Sequence, residues 1–162
     1  MSFPARLQEI ALLGSHMGLL NATWRVHASG VDDLEMIEGA IHWLTGDCCE
    51  VTWERGRSFH GSPQHVAMIR TGKRKIAKDW FRRLGVSTLN EIFEGGVGNR
   101  IDDDKTVHVR ISLPDLCRGI VSLIDSGSRR SSVKGTFKIE AYPGDEPSVV
   151  VSRMISELCS ES

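Results

Sequence analysis

Arg25 and His27 stand two residues apart, as do His108 and Arg110, and these side chains are typed for work on a phosphodiester. A histidine pair near neutral pH supplies a general base and a general acid, and an arginine presents a fork of donors to phosphate oxygens. If they converged, His27, His108 and Arg110 would make a metal-independent nuclease or phosphodiesterase. The same residues serve binding without bond cleavage, with rings stacked on bases or set against phosphate. A metal centre fits less well. It needs three converging ligands, and the run Asp102-Asp103-Asp104 reads as a solvated turn. Cys48 and Cys49 are adjacent, Cys117 and Cys159 stand apart, and neither CxxC nor HxxxH occurs. The four cysteines read as reduced thiols, and no cofactor or metal is expected.

The segment Thr71 to Leu84, TGKRKIAKDWFRRL, reads as a helix with two unlike faces. Ile76, Ala77, Trp80 and Leu84 fall on one side at helical spacing. Arg74, Lys75, Lys78 and Arg82 fall on the other, with Lys73 and Arg83 on the flanks and Asp79 as the single acid. The formal net charge of the chain is −1, so this is local segregation of positive charge. Such a face either holds something anionic, nucleic-acid phosphate above all, or is an ordinary solvated helix surface.

These residues need a scaffold, and 162 residues suffice for one domain with one core. With 40% hydrophobic and 25% charged residues, the composition is that of a globular protein. No apolar run reaches the ~20 residues of a bilayer span, and the N-terminus lacks a signal-peptide core, so a cytoplasmic location is expected without membrane contact. Residues 1–18 read as a weakly structured lead-in, 19–159 as the domain and 160–162 as a tail.

The periodicities give the order β-α-β-β-α-α-β-β-β-α. Trp24, Val26 and Ala28 alternate with Arg25 and His27. Asp32 with Glu35 opens a helix striped by Leu34, Ile37, Ile41 and Leu44, which Gly46 ends. Strands over 49–54 and 65–70 form a hairpin, and the basic helix and a short helix over 87–93 follow. Strands are then expected at 106–112, at the apolar run Ile120 to Ile124 and through Phe137, Ile139 and Ala141. A serine- and glycine-rich loop from Asp125 to Gly135 carries Arg129, Arg130 and Lys134, and a helix beginning at Pro147 closes the chain. This is an α+β protein: one twisted, mostly antiparallel or mixed sheet with helices on one face. The uncovered face would then show Arg25, His27, Thr52, His108, Arg110, Lys138 and Tyr142, with Glu54 and Glu140 among them.

Three segments taken in order, ATWRVHASG (22–30), ERGRSFHGSPQH (54–65) and DKTVHVRISLP (104–114), resemble the small archaeal RNA-binding proteins predicted to be exosome subunits. The resemblance spans residues 20–158. It implies a fold similar to that of the ribosomal protein that contacts five-S RNA, together with RNA binding, a link to RNA processing or ribosome-related metabolism, and no catalysis. Its signature is the turn His60-Gly61-Ser62-Pro63, in which family members often carry Asn where this chain has Ser62. The expected RNA-binding residues are therefore Lys73, Arg74, Lys75, Lys78, Arg82, Arg25, Arg110, His60, Arg129, Arg130 and Lys134, gripping the backbone with low sequence specificity. An adaptor role is a further alternative, in which an open sheet edge or residues 1–18 dock onto proteins of an RNA-processing complex.

Overall fold

The computed structural model describes residues 18–29, 32–57, 63–125 and 127–161. The expected lead-in up to residue 17 and the turn holding His60 lie outside them. Among the described residues, five strands form one antiparallel sheet: β1 (Leu19–Ser29), β2 (Thr52–Arg57), β3 (Pro63–Thr71), β4 (Thr106–Ser112) and β5 (Ser132–Ile139). Their spatial order is β2-β3-β1-β5-β4, so the first strand is central and β2 and β4 are the edges. The helices are α1 (Leu34–Thr45), α2 (Arg74–Arg82), α3 (Val86–Glu94), α4 (Leu113–Cys117) and α5 (Pro147–Ser160), with a 3-10 turn at Val97–Arg100. The α+β expectation holds.

Strand alternation sends Trp24, Val26, Ala67, Ile69, Val107, Val109, Val133 and Phe137 to one buried face. The helices cover that face, α2 lying over β1 and burying Ala77, Trp80 and Phe81. Phe137 is the hub: Trp24 meets it edge-on at 5.6 Å and Phe81 at 5.1 Å between ring centroids, geometries that aromatic quadrupoles favour. Gly135, paired with both Trp24 and Val109, makes room for the indole. A Cβ there would stand 2.6 Å from Trp24 Cζ3.

Several local expectations are corrected. The segment Ile120–Ile124 is not a strand. It touches the sheet through the single bridge Ile111↔Leu123, with Ser112 N donating to Ser122 O and Ile124 N to Arg110 O. Strand β5 begins at Ser132, so Lys134 belongs to the sheet and not to a loop. β5 ends at Ile139, which takes the next residues off its alternation. Glu140 is buried rather than on the open face, and its Oε1 receives Arg74 at 2.8 Å and the Tyr142 hydroxyl at 3.1 Å. Helix α1 is capped by Asp33, whose carboxylate accepts from Met36 N, while Asp32 accepts from Ser29 N at 2.7 Å. The aspartate run at 102–104 is the expected polar turn: Asp102 Oδ1 accepts from Asp104 N and Thr106 N.

Candidate nucleic-acid interface

The sheet face without helices carries the clearest concentration of function-bearing side chains. Its register places Arg25 opposite Lys134, and Lys134 opposite Arg110. Three cations therefore stand side by side on neighbouring strands, and Met68 and Thr52 continue the row. Like charges directly opposite each other destabilise a sheet, and no carboxylate interrupts the row. The next row holds His108, Thr136, Thr23 and Arg70. A shallow hollow of about 380 Å³ is lined by Arg25, Arg70, His108 and Lys134 together with Thr23 and Thr136. Among the described residues, Arg25, Arg70 and Lys134 take part in no ion pair.

The positive field registers on His27. Burial pushes its pKa below the ordinary histidine value, and the charges of Lys134 and then Arg25 push it further the same way. Its Nδ1 lies 3.0 Å from Gln64 Nε2. His108 has a different partner, Asp102 Oδ2 at 2.6 Å from its Nε2. That hydrogen bond holds the Asp102 carboxyl below its usual range. His27 and His108 share a face but do not converge. Two strand spacings and four residues of register separate them, on the order of 16 Å, too far to act on one phosphodiester.

Arg110 is already engaged. Its guanidinium donates to Ser132 Oγ at 2.8 Å and to Ser128 O at 3.3 Å, and it reaches Asp125 O at 3.5 Å. It ties the segment bearing exposed Arg129 and Arg130 to the sheet, so that segment is an anchored extension of the cationic row. Lys138 lies further along β5 and donates to Asp104 O.

The basic helix is less available than its sequence suggests. Arg74 is committed to buried Glu140, and Arg82 and Arg83 both bind Asp79. Lys73, Lys75 and Lys78 remain without an ion pair among the described residues. Because α2 buries its apolar side on the sheet, these lysines point away from the open face. The sequence reading thus yields two separate basic surfaces. It missed Arg70, which alternation in β3 signals.

No protein-family model matches the chain, and no curated protein matches it. Solved structures do. The chain shares its fold with archaeal DUF54 and UPF0201 proteins. A DUF54 protein from Archaeglobus fulgidus superposes with a TM-score of 0.70 at 22% identity, covering 87% of this chain and 99% of that one. A DUF54 protein from Methanothermobacter thermautotrophicus gives 0.67 at 18% identity, covering 88% and 98%. A UPF0201 protein from Methanococcus jannaschii gives 0.55 at 11% identity, covering 86% and 99%. The DUF54-like fold thus accounts for nearly the whole length of those proteins. Among the described residues, no helix is long and apolar enough to cross a membrane.

Proposed function

We propose that this chain is an RNA-binding protein that grips the phosphate backbone on its open sheet face without cleaving it. The observation that carries this reading is the cross-strand row Arg25, Lys134 and Arg110. Stacking like charges costs stability in the free protein, and an anion laid along the row would relieve that cost. The resemblance of its strand segments to small archaeal RNA-binding proteins favours RNA as that anion, and favours a cytoplasmic role in RNA processing, in exosome- or ribosome-related metabolism. The described positions of the open face include no Phe, Tyr or Trp, so base stacking would fall to histidine rings and guanidinium planes. Low sequence specificity follows. The separation of His27 from His108 favours binding over an acid-base mechanism.

The test is a salt titration of single-stranded RNA binding. Affinity should fall linearly on a log-log plot, with a slope of about −0.7 per phosphate neutralised. Arg25→Gln should lower affinity for all sequences alike and flatten the slope by about one contact's worth. Binding indifferent to both salt and Arg25→Gln would sink the proposal.

A further inference from the structure

A larger cavity, of about 780 Å³, lies along the outer edge of β4, within the size range of small-ligand sites. The turn holding Gly95, Gly96 and Arg100 walls one side, the segment holding Asp125 another, and Lys134 and Arg110 connect it to the cationic row. We propose that it receives the phosphomonoester of a nucleotide, either the phosphorylated end of an RNA or a free mononucleotide. This rests on the RNA-binding reading for the RNA end alone.

Charge and position support the assignment. Arg100, Arg110 and Lys134 face the cavity against one carboxylate, Asp125. The excess suits a phosphomonoester, which carries about −1.5 to −2 at neutral pH, better than a singly charged diester. Arg100 and Lys134 take part in no ion pair among the described residues, while Arg110 shapes the wall through Ser132 and Ser128. The His108 ring, held by Asp102, borders both this cavity and the shallow hollow on the sheet. A strand of RNA lying along the Arg25–Lys134–Arg110 row would therefore run off the sheet directly into the cavity. Gly96 keeps one wall low: its φ is +89° and a Cβ would stand 2.8 Å from Asn99 Nδ2, whose amide donates to Gly95 O at 3.1 Å.

The experiment uses the full chain and one short single-stranded RNA carrying a 5′-phosphate, a 3′-phosphate or hydroxyls at both ends, with free guanosine and uridine monophosphates alongside. One of the end-phosphorylated RNAs should bind about tenfold tighter than the hydroxyl RNA, as a new charge-assisted contact allows. Arg100→Gln should abolish that preference and leave the hydroxyl RNA within about twofold. Lys134→Gln, placed on both surfaces, should weaken all three RNAs and reduce the preference. Equal binding of the three RNAs with no mononucleotide binding overturns the cavity assignment, while weakening by Arg25→Gln would leave the RNA-binding reading standing. A preference that survives Arg100→Gln also overturns it. Mononucleotide binding lost in Arg100→Gln, with no RNA bound, keeps the site and overturns the RNA reading.

Discussion

His27 is the internal reporter of the proposed interface. Burial first, then Lys134 and Arg25, hold its pKa below the ordinary histidine value. A depressed histidine makes the folded state resist protonation, so its contribution to stability worsens as pH falls through the unfolded value. By nuclear magnetic resonance its ring should titrate low in the free protein. It should titrate higher in Arg25→Gln, and higher again when a phosphate-bearing ligand covers the row; an unmoved midpoint in both cases would mean the cations do not act together. On the helix, arginine and lysine have different duties. Arg74→Ala leaves the buried Glu140 carboxylate with the Tyr142 hydroxyl alone, its Oε2 having no hydrogen-bond partner among the described residues, and should cost on the order of 1–3 kcal/mol. Lys75→Ala and Lys78→Ala should each stay within about 0.5 kcal/mol, a contrast thermal melts would reveal. Asp79 adds a pH signature. Burial alone would raise its carboxyl, but hydrogen bonds from Arg83 and Arg82 outweigh it and hold the pKa low. Its stabilisation is therefore present above the ordinary carboxylate pKa and lost as pH falls through the lowered one. Asp79→Asn should cost up to about 1 kcal/mol at neutral pH, and melts near pH 2 should show the difference from wild type closing.

Among the elements, β1, β4 and the two amphipathic helices α1 and α2 were legible in the sequence, because each carries an uninterrupted period of 2 or 3.6. The edges of that legibility are physical. Ile120 to Ile124 has strand-like composition, yet it lies beyond the edge of β4 and finds one bridge instead of a ladder. Gly135 looked like the end of a loop, since glycine weakens a strand. Its reason for being in β5 is Trp24 on the neighbouring strand, which no local pattern reveals. Gly135→Ala should destabilise by about 1–3 kcal/mol through overpacking against the indole. Differential scanning calorimetry would measure this, and a neutral result would mean the ring shifts freely. The candidate site was legible in Arg25, His108 and Arg110, where strand alternation is clean, but not in Lys134, which reads as a loop residue and lies in β5. It was illegible in the ion pair between Arg74 and Glu140, and in Arg100, because both depend on long-range placement, whereas Arg82 and Asp79 are three residues apart on one helix.

For the whole molecule, the covered and open faces of one sheet put the lysines of α2 and the Arg25–Lys134–Arg110 row on opposite sides. A single RNA strand cannot lie on both without wrapping an edge. Removing Lys75 and Lys78 together should therefore leave the affinity of a short RNA nearly unchanged, while a longer RNA loses affinity and salt dependence in proportion to the phosphates it no longer meets. Filter binding with RNAs of graded length would show whether the two dependences separate. The central position of β1 also governs how the protein is made. β1 leaves the ribosome before the other four described strands and pairs on one side with β5, which begins more than 100 residues later. At synthesis rates of about 5–20 residues per second, that edge waits roughly 5–20 s for its partner. Throughout the wait, the nascent chain presents an unpaired, half-apolar strand, the kind of surface on which chains misassociate. β4 cannot relieve it, because β4 reaches β1 only through β5. The sheet therefore cannot be completed before β5 is available, and until then the open face lacks Lys134 and Arg110 beside Arg25. The proposed RNA surface is completed only once β5 has emerged, so a nascent chain that stops short of Ser132 would lack Lys134 and with it the full cationic row.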